Sequence, residues 1–108
     1  MIHRMVEPPQ NEITRRIVEA FKPQRVIVFG SRAHGTPRPE SDLDLMVEME
    51  TTLSPADRVL AVFNLFGLRS WALDVVVFTP SEVVRQRAAP ESLVNAIEKE
   101  GRVVYERP

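Results

Sequence analysis

Two aspartates alternate with two leucines in Ser41-Asp42-Leu43-Asp44-Leu45, and ten residues separate Asp42 from Gly30-Ser31 upstream. The alternation reads as a β-strand, in which residues i and i+2 project to one face, about 7 Å apart along the chain. Asp42 and Asp44 then share a face, with Leu43, Leu45 and Val47 on the other. Like charges on one face repel, and burying them unpartnered costs several kcal/mol each. That arrangement makes poor packing and a good divalent-cation site.

A third carboxylate stands in Ala72-Leu73-Asp74-Val75-Val76-Val77-Phe78, an otherwise apolar strand. If this strand lies beside the first, Asp74 completes a trio able to hold two Mg²⁺ ions, roughly 3.5–4 Å apart in two-metal phosphoryl-transfer sites. Mg²⁺ takes oxygen ligands and leaves positions for water and phosphate. Asp42, Asp44 and Asp74 are therefore the expected metal ligands and catalytic residues, with Asp74 the general base. Gly30 lets backbone approach an anion. A helical turn beginning at Ser31 would aim N–H groups at a phosphate, and the Ser31 hydroxyl adds a donor. The chemistry implied is nucleotidyl transfer, with attack at the α-phosphate of a nucleoside triphosphate.

Composition narrows the alternatives. The 108 residues suffice for one domain with a core of moderate size. The net charge of -1 provides no basic field for nucleic acid, so direct nucleic-acid binding is not expected. The absence of cysteine excludes thiolate catalysis and zinc–thiolate sites, and His3 and His34 are too few for a histidine metal cluster. No apolar run reaches the roughly 20 residues of a membrane span, and no secretion signal opens the chain, so the expected location is the cytoplasm.

Residues 1–9 read as a loose lead-in, and residues 10–108 as one domain. Ile13, Ile17, Ala20 and Phe21 recur at helical spacing from about Gln10 to Lys22, and Pro23 stops that helix. Arg25 to Phe29 is a short apolar strand. A turn-rich segment follows, and the second strand runs from Asp42 to about Met49. Ser54, Pro55 and Asp57 open a helix with Val59, Leu60, Phe63 and Phe66 as its apolar stripe and Gly67 as its stop. A third strand covers about Trp71 to Phe78. Thr79-Pro80-Ser81-Glu82 opens a short helix to about Arg87. A last helix spans Pro90 to Glu100, with Leu93, Val94 and Ile97 on one side, and Arg102 to Tyr105 forms a final strand. This order predicts an α+β fold in α/β layers, a mixed β-sheet flanked by helices. Phe63, Phe66, Trp71 and Tyr105 read as packed residues, Arg15-Arg16 as a solvated face and His34 as an exposed loop residue.

Gly30-Ser31, the Asp42-x-Asp44 pair ten residues on and the later strand acid Asp74 together resemble the nucleotidyltransferase superfamily related to DNA polymerase beta. Phe29-Gly30-Ser31-Arg32-Ala33-His34-Gly35 and Glu100-Gly101-Arg102-Val103-Val104-Tyr105-Glu106 are similar to its minimal nucleotidyltransferase (MNT) branch. The resemblance covers roughly Glu12 to Glu106. It implies the nucleotidyltransferase fold, Mg²⁺ (two ions during turnover) on Asp42, Asp44 and Asp74, and ATP as substrate, held by Gly30, Ser31, Arg32, Asp42 and Asp44. It also implies a HEPN-domain toxin as partner, with this chain as the antitoxin that transfers AMP to it. The alternative is a non-catalytic antitoxin that neutralises the toxin by binding. An incomplete acceptor side and scattered apolar residues further suggest a partner or self-association into a homo-oligomer. His34 departs from the branch, which often has arginine there. A histidine is mostly neutral at pH 7, which leaves Arg32 or Arg38 to supply the charge.

Overall fold

The computed structural model describes residues 6–35 and 37–108. Four strands form one mixed sheet: β1 (Arg25–Phe29), β2 (Leu43–Glu48), β3 (Leu73–Phe78) and β4 (Arg102–Glu106), in the order β3-β2-β1-β4. Four helices accompany them: α1 (Gln10–Phe21), α2 (Pro55–Phe66), α3 (Pro80–Arg87) and α4 (Leu93–Glu100). β1 runs antiparallel to both β2 and β4, whereas β2 and β3 are parallel. The parallel pair needs a crossover, and α2 supplies it.

The pleat sends alternate residues to opposite faces. Val26, Val28, Leu43, Leu45, Val47, Leu73, Val75 and Val77 form one buried cluster with Ile13 and Ile17 of α1 and Val62 of α2. Ile27 and Met46, on the other face, pack with Val83 of α3 and Val94 and Ile97 of α4. Helices thus cover both faces of a central sheet, as the α+β expectation requires.

Helix ends follow the local chemistry. The Ser54 hydroxyl accepts from the Asp57 N–H, and Gly67 ends α2 at φ 60°. Thr79 and Glu82 form a reciprocal capping box on α3. α4 begins three residues later than the expected Pro90, because the Ser92 hydroxyl caps it by accepting from the Asn95 N–H.

Burial departs from the expected stripes at three positions. Ala20 is exposed, Leu60 is 55% exposed and Leu93 is 47% exposed. In α2 the buried positions are Val62 and Arg58 instead. The Arg58 guanidinium donates to Leu53 O at 2.9 Å and to Glu82 Oε1 at 2.7 Å, and this neutralises it between the helix start and the β3–α3 junction. Arg15 lies on a solvated face as expected. Arg16 does not: it is half-buried, donates to Leu65 O and stacks on the Phe66 ring. Phe63, Phe66, Trp71 and Tyr105 all pack against the first cluster.

Of the lead-in, residues 1–5 lie outside the described residues. Val6 donates its N–H to Ser70 O, Pro8 is buried, and Glu7 pairs with Arg32. Among the described residues no helix is long and apolar enough to cross a membrane.

Candidate active site

The acids gather at the end of the sheet where β1 finishes and β2 and β3 start. Asp44 is the register partner of Phe29 on one side and of Asp74 on the other. Register partners share a face, so the Asp44 and Asp74 carboxylates stand together. They occupy the face of Ile27 and Met46, beyond the part that α3 and α4 cover. Asp42 lies one residue before β2 begins rather than inside it, and it is exposed, as Asp74 is.

Asp44 is the electrostatic centre of the group. Partial burial raises its carboxyl above the usual aspartate range, and the charges of Asp74 and then Asp42 push it further in the same direction. None of the three acids accepts a hydrogen bond or ion pair from a described side chain. Among the described residues no three His, Cys, Asp or Glu side chains close on one point as a ready metal cage. Asp74 and Asp42 are both charge neighbours of Asp44. Asp42 stands on the loop before β2, outside the strand pairing that sets Asp44 beside Asp74. The donor set is oxygen only, uncompensated and partly desolvated, which fits Mg²⁺.

Gly30 closes the site from the β1 side. Its φ of 71° is left-handed, and a Cβ built there would run into Asp44 Oδ2. The glycine therefore serves two ends: the chain turns sharply after β1, and the Asp44 carboxylate lies directly against backbone. The expected helical turn is a three-residue 3₁₀ turn, Gly30–Arg32, closed by the Ala33 N–H on Gly30 O. It starts one residue earlier than expected and is too short to carry much of a macrodipole. What the turn presents is a close backbone approach at Gly30 and the exposed Ser31 hydroxyl.

Arg32, expected among the nucleotide-binding residues, directs its guanidinium into the protein. Its side chain is only 6% exposed and is occupied: the guanidinium donates to Arg38 O, Pro39 O and Ser41 O and pairs with Glu7. Arg38 and His34 are exposed loop residues. A further cation was missed by sequence reading. Arg102 opens β4 opposite Val28 and reaches Arg32 O at 3.5 Å. Nothing in the sequence signals that approach across 70 positions.

A groove of about 430 Å³ between α1 and β4, lined by Thr14, Val18, Val104 and Tyr105 among others, contains none of these acids. Volume alone would place a ligand there. The uncompensated charge and the close approach of Gly30 to Asp44 make the sheet end the candidate site instead.

The family described as Polymerase beta, Nucleotidyltransferase matches residues 11–108. A protein of Sulfolobus solfataricus assigned as a nucleotidyltransferase has the same fold, with a TM-score of 0.62 and 22% identity over 91% of this chain and 78% of that one. The BolA domain of SufE1 from Arabidopsis thaliana is similar over 67% of this chain and 92% of its own length, with a TM-score of 0.50 and 21% identity. No curated protein matches the chain. The Gly30 turn, the aspartates at 42, 44 and 74 and the match over nearly the whole length lead to one conclusion: the chain belongs to the polymerase beta nucleotidyltransferase family.

Proposed function

We propose that the protein is a minimal, Mg²⁺-dependent nucleotidyltransferase that moves AMP from ATP to a protein acceptor, a HEPN-domain toxin, and thereby acts as its antitoxin. The observation that carries the transferase part is the uncompensated carboxylate pair Asp44–Asp74 set against the Gly30 turn. The partner rests on the resemblance of Phe29–Gly35 and Glu100–Glu106 to the MNT branch.

The roles of the residues follow from their chemistry. The Gly30 backbone and the Ser31 hydroxyl bind and orient the phosphates. Asp42, Asp44 and Asp74 would hold Mg²⁺, which when bound offsets negative charge on the triphosphate. Asp74 is exposed on the outer strand, so it can meet an acceptor hydroxyl and take its proton. The acceptor oxygen forms its bond to the α-phosphorus, and pyrophosphate leaves with the electrons of the broken P–O bond. The acids' face of the sheet end has no described covering element, which suits an acceptor as large as a protein.

Incubation with α-labelled ATP, Mg²⁺ and the partner should label the partner covalently, and Asp42→Ala/Asp44→Ala should abolish the label. Absence of label while the two proteins bind would remove the catalytic reading. A second reading, neutralisation by binding alone, is favoured by His34 in place of the branch's usual arginine and by the lack of a ready three-ligand metal cage among the described residues. Under that reading the double variant still rescues cells from the toxin.

A further inference from the structure

We infer that Arg32 is a positioning residue that fixes the phosphate-facing turn relative to Asp42, so that its contribution to nucleotide binding is indirect. The inference rests on the nucleotidyl-transfer reading above for its consequence, but its geometry stands independently. One guanidinium joins three segments. It belongs to the Gly30–Arg32 turn and donates to Arg38 O at 2.8 Å, to Pro39 O at 3.2 Å and to Ser41 O at 3.0 and 3.2 Å. It also pairs with Glu7 at 3.0 Å, which draws in the segment that Val6 fastens to Ser70 O.

The carbonyls it holds are those that lead directly into Asp42. Ser41 O is the acceptor immediately before the aspartate, and Ser41 is fixed a second time, through its N–H on Arg38 O and its hydroxyl under the Arg38 N–H. Without Arg32, Pro39 O and Ser41 O lose their donor and Arg38 O keeps only the Ser41 N–H, in a loop containing Pro37 and Pro39. The loop then drifts, and Asp42, the acid that stands outside β2, drifts with it. Asp44 and Asp74 stay where strand pairing puts them. The clamp therefore governs one corner of the site and leaves the other two alone.

Arginine suits this task for a physical reason. The guanidinium is planar, with five N–H donors in fixed directions, so one side chain can satisfy several carbonyls and a carboxylate at once. A lysine ammonium is a point charge on a flexible stem and cannot span them. Lysine at position 32 would keep the charge and lose the clamp.

The test measures amide exchange at Ser41 and calorimetric binding of ATP with Mg²⁺ in wild type, Arg32→Gln, Arg32→Lys and Glu7→Gln. In both Arg32 variants Ser41 exchange should accelerate about tenfold, a change of about 1.4 kcal/mol, with the exchange of β2 and β3 amides unchanged. ATP–Mg²⁺ binding should weaken by about the same factor in both, and lysine should not rescue it. Glu7→Gln, which removes one exposed arm, should produce a smaller shift in the same direction. Wild-type Ser41 exchange in Arg32→Gln would overturn the clamp. Rescue of binding by Arg32→Lys, with Ser41 exchange still fast, would assign Arg32 to direct charge contact and overturn it as well. If wild type binds no ATP–Mg²⁺, the transferase reading fails, while Ser41 exchange still decides the clamp.

Discussion

Asp44 and Asp74 face each other as register partners on two parallel strands, with Gly30 leaving no side chain between Asp44 and the β1 turn. Strand pairing forces this proximity whatever the charges prefer, and the fold bears the cost. Partial burial and two acidic neighbours hold the Asp44 carboxyl above its ordinary range.

A group whose folded pKa is raised destabilises the fold once it ionises. The penalty is absent at low pH, where the carboxyl is protonated folded or unfolded. It grows as pH climbs from the unfolded value of about 3.9 through the higher folded one. At pH 7 Asp44→Asn should therefore raise the unfolding midpoint, by a few degrees. At pH 3 the two proteins should melt together. If Asp44 helps to hold Mg²⁺ as proposed, the ion should raise the midpoint of wild type and leave that of Asp44→Asn nearly unchanged. Thermal scans with and without Mg²⁺ at the two pH values check this.

Gly30→Ala separates shape from charge. The left-handed backbone costs a non-glycine residue about 1–2 kcal/mol. The new methyl also meets Asp44 Oδ2, the mobile end of a side chain, which must swing aside. The variant should fold with that loss of stability and bind ATP–Mg²⁺ at least as weakly as Asp44→Asn. Denaturant melts and calorimetry report the two effects separately.

Glu98 lies between Arg87 and Arg25, and Arg25 also holds Glu48. The Arg87 hydrogen bond, followed by that of Arg25, lowers the Glu98 carboxyl to about 2. A depressed carboxyl stabilises above its unfolded pKa and loses that contribution as pH falls through the folded one. Stability should decline between about pH 4.5 and about pH 2. Glu98→Gln should flatten that decline and cost about 1–2 kcal/mol at pH 7, discounted for partial exposure. Urea melts across the acid range measure it.

Arg58 is a stability residue remote in role from the acids. Arg58→Ala strips donors from Leu53 O and Glu82, leaving Glu82 with the Thr79 N–H as its remaining partner. The expected loss is about 2–3 kcal/mol, within the range for breaking a partly buried pair. Nucleotide affinity should remain that of wild type at temperatures where the variant is folded.

The local signals in the sequence were strong where one residue type had one physical use. Ser54, Thr79-Pro80 and Gly67 marked helix ends because caps and left-handed turns admit few alternatives. The alternation around Asp44 and the lone acid at Asp74 were legible for the same reason, and the family match agrees with the fold they implied. What the chain alone concealed depends on distant partners. Periodicity treated Leu60 as apolar core and passed over Arg58, because only the tertiary contact with Glu82 makes an arginine buryable. Arg32 resembled a phosphate ligand by its place after Gly-Ser, and only the folded loop reveals that its donors are taken. Asp42 read as strand, yet the strand starts one residue later and leaves it on the loop Arg32 holds.

Calorimetric titration of ATP in the presence of Mg²⁺, wild type against Asp42→Ala/Asp44→Ala, tests the central claim most directly. Saturable binding by wild type and none by a double variant that melts at or above the wild-type midpoint is the predicted result. Equal binding by both proteins, or no binding by wild type, would contradict the assignment of these carboxylates to a nucleotide–metal site.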